Sequence, residues 1–296
     1  MKSKVSTHIG ILFLKLVAKL PFICIYLLSD IFYLIIYYLV GYRKKVVLQN
    51  LKNSYPNKNP DELKKLTKRY FRHFSDITLE TIKMYGMNKA DFDRRMQIKN
   101  ADLVNQYFEK GQSVVILSMH YNNWEWGSSF SGKLKHKCLG VFKPLHNSSF
   151  NSYLNNVRGK HGLEMVSNSE ILRRIIKAKK EKELILIWLA GDQTPPYYHK
   201  TWYKFLNQET LFYLGTANIP HKFNYPVFFQ NTIKTDRGMY QTEFELLFEN
   251  PSEFNVSDII KKYIEKMEEV LKNSPECYLW SHKRWKHIRP EGIPLN

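Results

Sequence analysis

From Leu20 to Tyr42 the chain reads LPFICIYLLSDIFYLIIYYLVGY, with Asp30 as its only charged residue. About 20 apolar residues suffice to cross a bilayer, so this run must either meet lipid or be buried as a hydrophobic helix. Asp30 opposes a simple span, because a carboxylate near the bilayer centre costs roughly 2.5–3.5 kcal/mol on insertion scales. Pro21 predicts a kink, and Lys15 and Lys19 interrupt the upstream apolar run. No small-x-small cleavage site precedes the basic YRKK, so a cleaved signal peptide fits poorly. The expectation is a membrane anchor over residues 1–45, either one span or a shallow hairpin, with Tyr37, Tyr38 and Tyr42 at the interface. A buried helix pair is the alternative.

The flanking charge supports the membrane reading. Between Arg43 and Arg72 ten Lys and Arg face only two acidic residues, Asp61 and Glu62, which favours an anionic cytoplasmic leaflet. The whole chain carries a formal charge of +18, which calls for an acidic partner: a nucleic acid, an anionic membrane surface, or an acidic protein or substrate. No nucleic-acid-binding module is recognisable, so nucleic acid is not expected. Cys24, Cys138 and Cys277 are far apart, giving neither a disulfide framework nor a Cys-based metal site.

Beyond the anchor, residues 46–296 read as one domain. Asn59 as cap, Pro60 in the first helical position and Glu62 in a capping box open a helix. Its Leu63, Leu66, Tyr70, Phe74, Ile77 and Ile82 recur on one face, leaving a basic face for lipid headgroups. From about residue 111 strands and helices alternate. SVVILSM (113–119), KCLGVF (137–142) and ELILIWLA (183–190) are short apolar runs suited to buried strands. YPVFFQ and the alternating YQTEFELLFE suggest two more, the latter at the sheet's edge. FNSYLNNVRGKHG, SEILRRIIKAKKEK and SDIIKKYIEKMEEVLKN are helical, the last with Ser257 as cap. This order predicts an α/β fold with a mixed, mostly parallel sheet flanked by helices.

Where the first buried strand ends, the sequence reads HYNNWEWG. An α/β sheet usually receives its ligands beyond the carboxyl ends of its strands, which is where His120 falls. On one continuous helix, residues five apart diverge by about 140°. His120 and Glu125 therefore converge only if the His lies in the loop and the Glu in the first helical turn, with Asn122 or Asn123 as cap. A carboxylate so placed can hold one ring N–H, fix the tautomer and strengthen the other nitrogen as a base. Such a base can deprotonate an acceptor hydroxyl without a nucleophilic Ser or Cys. A polar loop His beside an exposed helical Glu fits the spacing equally. HxxxxE is not a zinc motif, and there is no Gly-rich phosphate loop.

HYNNWE resembles the H-x4-D/E motif of the glycerolipid acyltransferase-like group, in the form seen in the late lipid A acyltransferases (the lauroyl/myristoyltransferase family). YLVGYRKKVVLQNLKNSYP, FRHFSDITLETIKM, VFKPLHNSSFNSYLNNVRGKHG, GDQTP, FLNQETLFYLG, YPVFF and YLWSHKRWK fall in family order, so the resemblance spans essentially the whole chain. It implies transfer of an acyl chain from a thioester, with acyl carrier protein as donor, to a hydroxyl of a phosphorylated glycolipid, the lipid A precursor. The reaction would run at the cytoplasmic face of the inner membrane. His120 would be the general base, assisted by Glu125, with no metal, nucleotide or flavin required. Backbone N–H groups or Lys143 would stabilise the oxyanion.

Lys143 and Arg158 would contact substrate phosphates, Arg158 otherwise being a helix-surface cation. Asp192 and Gln193, at the end of a buried strand, suit either helix capping or the substrate site. Trp280, Trp285 and the intervening SHKR read as packing plus a basic surface. Two departures qualify the carry-over. Lys143 stands where the family usually has Arg, so a phosphate contact survives without the bidentate fork. The block after Gly215 reads GTANIP, without the family's common Glu. The same chemistry on an aminolipid, another glycolipid or a pigment, and a non-catalytic basic membrane-binding protein, are the alternatives.

Overall fold

Strands of almost unbroken apolar sequence can be stable only with both faces covered, and the chain meets that requirement with one central sheet. The computed structural model describes the backbone of residues 2–197 and 201–296, and side chains from Ser6 onward within those spans. The helices are α1 (Lys2–Ala18), α2 (Phe22–Leu34), α3 (Lys44–Ser54), α4 (Pro60–Lys83), α5 (Lys89–Arg95), α6 (Ala101–Glu109), α7 (Trp124–Gly127), α8 (Ser148–Gly159), α9 (Ile171–Glu181), α10 (Gly215–Phe223) and α11 (Val256–Asn273). The strands are β1 (Met96–Ile98), β2 (Val114–Ser118), β3 (Lys137–Phe142), β4 (Glu164–Ser167), β5 (Ile185–Ala190), β6 (Trp202–Phe205), β7 (Gln208–Leu211), β8 (Val227–Asp236) and β9 (Met239–Phe248).

Seven strands form one sheet in the order β1-β9-β8-β2-β5-β3-β4, and β6 and β7 make a separate hairpin. Only the β8–β9 pair is antiparallel within the large sheet. This is the mixed, mostly parallel sheet expected from the strand–helix alternation. The expected strands are all present. Those not anticipated, β1, β4, β6 and β7, have three or four residues each, too few to display a period. β9 was expected at the edge; β1 pairs along it and takes that place. Central β2 is buried throughout, as a strand between two helical layers must be.

Helix α4 starts as its sequence dictates. The Asn59 side chain accepts from the Glu62 N–H at 2.9 Å, and Glu62 accepts from the Asn59 N–H at 2.8 Å. At α11 the cap is Asn255, not Ser257, in a capping box with Asp258. The three-residue spacing from Asn255 to Asp258 is the same signal read two residues earlier.

The N-terminal segment divides its surface between two environments. Pro21 separates α1 from α2, and α2 continues as a π-helical turn over Ile35–Leu39. The helix Phe22–Leu39 is long and apolar enough to cross a bilayer, and 28% of it is buried. Its Ile25, Ser29, Tyr33, Ile36 and Tyr37 are buried, and α2 packs against α4. Tyr33, Ile36 and Tyr37 join the same apolar cluster as Val115 and Leu117 of the sheet.

Polar ties reinforce the contact. Ser29 donates to Asp76 at 2.8 Å, and Arg237 bridges Asp76 at 2.7 Å and Asp30 at 2.6 Å. Asp30 thus has a cationic partner at the helix surface. Gly238, at the β8–β9 turn with φ +71°, lets the backbone press on α2; a Cβ there would lie 1.6 Å from the Tyr26 hydroxyl. At the other end buried Lys83 donates to the carbonyls of Ala18 and Leu20 at 3.0 and 2.7 Å, satisfying the close of α1.

Candidate active site

β2 and β5 are parallel neighbours with Ser118 opposite Ala190. His120 and Asp192 each lie two residues past that pair, so strand register alone brings them together at the sheet's carboxyl edge. The Asp192 carboxylate takes both polar groups of His120: Oδ1 lies 2.8 Å from Nδ1, and Oδ2 accepts the backbone N–H at 3.0 Å. With Nδ1–H donated to a carboxylate, the ring presents Nε2 as its basic nitrogen. The Gln193 amide nitrogen lies 3.0 Å from Nε2, a distance and polarity suited to N–H donation into that lone pair. Burial pulls the His120 pKa down, but the Asp192 charge and hydrogen bond outweigh it, and the pKa stands above the ordinary imidazole value. Burial likewise opposes ionisation of Asp192, and His120 more than offsets this, holding its carboxyl below the usual range.

The two asparagines of HYNNWE serve the backbone. Asn122 adopts φ +51°, a left-handed conformation that Asn tolerates better than most residues. Its N–H donates to Cys277 O at 3.0 Å and its amide to Thr232 O at 2.6 Å. Asn123 caps α7 by accepting from the Trp126 N–H at 2.9 Å, while its own amide donates to buried Glu80 at 2.6 Å. The Trp124 ring packs edge-on to His120, with centroids 5.4 Å apart.

Glu125 does sit in the first helical turn, but it makes no hydrogen bond to His120. Arg158 of α8 binds both its oxygens, Nε to Oε2 at 2.8 Å and Nη2 to Oε1 at 2.6 Å. Burial works against the Glu125 charge, yet Arg158 holds its carboxyl below the ordinary value, with His120 adding to the effect. The carboxylate expected on one ring N–H is therefore Asp192, at Nδ1, and not Glu125. Arg158 is not a free surface cation; its fork is committed to Glu125. Lys143 lies just beyond β3 on the same carboxyl edge and is exposed.

The terminal block contributes more than packing. Leu279 N–H donates to His120 O at 3.1 Å, fixing the loop. Arg284, read in the sequence as part of a basic surface, is 2% exposed. It donates to Leu211 O at 2.7 Å and lies over the Phe212 ring. Burial lowers its pKa against the favourable fields of Tyr278 and Asp192. Tyr263 donates to Ser118 O and accepts from the Gly191 N–H at 3.1 Å, tying together the two strand ends that carry His120 and Asp192. Gly191 is required there, since a Cβ would come within 2.4 Å of Thr216. No local motif marks Tyr263 or Arg284. In the sequence the His120–Asp192 pair was signalled only by the position of each just past the end of a buried strand. Among the described residues no cluster of three or more His, Cys, Asp or Glu is placed to hold a metal ion.

A polar, partly enclosed pair at the carboxyl edge of a mixed sheet suits proton transfer to or from a bound hydroxyl. Comparison with known proteins agrees with that chemistry. The chain is 22% identical over 254 residues to a lipid A biosynthesis palmitoleoyltransferase of Escherichia coli (strain K12), covering 84% of this chain and 80% of the relative. It is 23% identical over 293 residues to a lipid A biosynthesis lauroyltransferase of the same organism, covering 97% and 93%. The model of the bacterial lipid A biosynthesis acyltransferase family matches residues 1–287. On that match the chain belongs to the bacterial lipid A biosynthesis acyltransferase family and is an acyltransferase of lipid A biosynthesis.

Proposed function

We propose that His120 is the general base of this acyl transfer. The observation that carries the reading is the Asp192 carboxylate on Nδ1, which leaves Nε2 as a lone-pair acceptor facing Gln193. The acceptor hydroxyl, a 3-hydroxyl of an acyl chain on a phosphorylated glucosamine lipid, displaces the Gln193 amide and gives its proton to Nε2. Its oxygen attacks the thioester carbonyl carbon. The tetrahedral oxyanion collapses, the C–S bond breaks, and the thiolate of acyl carrier protein leaves with the proton from the imidazolium. Asp192 stabilises that imidazolium in direct contact. Glu125 adds a second negative charge nearby, and Arg158 keeps Glu125 ionised and fixed. Mass spectrometry of lipid A from cells with and without the gene tests the reading. Loss of one acyl chain names the acceptor position and chain length; an unchanged lipid A would overturn it.

Two further results are expected. Gln193→Glu places a second carboxylate at Nε2 and favours the protonated ring, so the acid limb of the pH–rate profile moves to higher pH. An unmoved limb would separate Gln193 from the base. Lys143→Ala raises the apparent KM for the phosphorylated acceptor more than that for the acyl donor, because an exposed cation at the site's rim is positioned to meet phosphate. Arg158→Ala instead lowers kcat, since its fork is committed to Glu125 and its loss frees that carboxylate. A selective rise in donor KM would assign Lys143 to acyl carrier protein.

We place the enzyme at the inner membrane with its site facing the cytoplasm. Residues 1–45 serve as anchor and 46–296 as the catalytic domain, a division of labour within one continuous core. The exposed apolar residues of α1 and α2, including Phe13 at 63% and Ile23 at 71%, and the basic segment that follows support this reading.

A further inference from the structure

Between the end of α2 and the outer face of α4 lies an open cleft of about 540 Å³. Lys58, Lys65, Lys68, Arg69 and Arg72 line it, against a single carboxylate, Glu62. That carboxylate is already engaged in capping α4. Arg69 is bound to Glu276 at 3.4 Å, and Arg72 stands over the Tyr33 ring at 5.3 Å. Among the described residues neither Lys65 nor Lys68 has a carboxylate within 4.0 Å. The cleft is thus cationic in excess of its own counter-charges.

The surface running into this cleft is apolar. Ile23, Leu27, Ile31, Leu34 and Tyr38 recur every three or four residues along α2 and its π-helical turn, forming one stripe. They are 71%, 60%, 54%, 52% and 57% exposed. Tyr38 belongs both to the stripe and to the cleft wall. A soluble anion or an acidic protein needs the cations but not the stripe. A phospholipid needs both, with phosphate among cations and acyl chains along an apolar helix. The cleft is also removed from the reacting groups: α4 meets the His120 loop at Glu80, eight residues past Arg72 and about 12 Å further along the helix axis.

We propose that this cleft binds the phosphate headgroup of an anionic membrane phospholipid whose chains lie along the α2 stripe. The site sets the depth and tilt of the enzyme at the bilayer surface and is separate from the acceptor site. It rests on the membrane association argued above, and its test distinguishes the two. The full chain is assayed by flotation with vesicles of phosphatidylcholine alone and of phosphatidylcholine mixed with phosphatidylglycerol. The wild type binds both and prefers the mixed vesicles. Lys65→Ala/Lys68→Ala/Arg72→Ala retains the binding to phosphatidylcholine and lowers affinity for the mixed vesicles about a hundredfold. Lys177→Ala/Lys180→Ala/Lys261→Ala, which removes equal charge from α9 and α11, changes it less than about threefold.

Unaltered turnover of a detergent-dispersed substrate shows that the cleft variant is folded. Equal losses in the two triple variants would reduce the effect to net charge and overturn the site. So would a phosphatidylglycerol preference that survives the cleft variant, or one abolished by inorganic phosphate at unchanged ionic strength. A cleft variant that keeps the lipid preference but raises the KM for acyl carrier protein would assign the cleft to that protein instead. Failure of the wild type to bind phosphatidylcholine vesicles would overturn the anchor reading itself.

Discussion

His120→Ala is expected to lower acyl transfer by about 10²–10⁴-fold, the range a positioned general base contributes. On the proposed mechanism the substitution removes the group that accepts the hydroxyl proton and later returns it to the thiolate. The fold should survive, because the ring is partly exposed and its loop is also held by backbone bonds from Leu279 and at Asn122. Turnover is measured with purified protein, acyl thioester and acceptor, alongside thermal unfolding to confirm the native state. Near-normal turnover in a folded variant would sink the mechanism.

Asp192→Asn carries the second large effect, and it separates the arrangement seen here from the one suggested by the HxxxxE motif. The carboxylate fixes the ring tautomer and stabilises the imidazolium, so its loss should cost about 10²-fold or more in kcat. The pH dependence adds a signature. The base works when neutral, so the rate falls as pH drops through the His120 pKa, which Asp192 holds above the ordinary value. Removing that charge leaves burial to dominate, and burial lowers a histidine pKa. The acid limb therefore moves to lower pH while the plateau falls. Glu125→Gln should cost less and move the limb less, because Glu125 acts from a distance and is partly neutralised by Arg158. If Glu125→Gln costs more and shifts the limb further than Asp192→Asn, the carboxylate that matters is Glu125.

Local sequence was enough for the elements whose cause is local. The Asn59–Glu62 capping box, the β-branched runs of β2 and β5, and an Asn cap ahead of Glu125 each encode their conformation within a few residues, although only the structure chose Asn123 over Asn122. The motif also located His120 correctly, at the end of a buried strand. It could not choose the carboxylate for the ring. Glu125 is five residues away in sequence and Asp192 is seventy-two, yet parallel pairing of β2 with β5 puts Asp192 on Nδ1. That pairing is a long-range contact that no window around His120 contains.

Arg158 and Arg284 show the same division. In sequence both are cations in basic surroundings. In the fold one is locked onto Glu125 and the other is buried near Asp192. Charge is a property of the residue, whereas partner and burial are properties of the packing.

The apolar N-terminus marks the boundary from the other side. Composition by itself determined that residues 20–42 form an apolar run calling for burial in protein or lipid, and that the segment after them is strongly basic. Only the tertiary structure decided how the apolar surface is shared, with Ile25, Tyr33 and Tyr37 against the core and Ile23, Leu27 and Ile31 facing outward. The physical reason is that hydrophobicity is a scalar written in the residues. The direction in which it is satisfied depends on the helix that packs alongside, here α4, with Arg237 joining Asp30 to Asp76 across the contact.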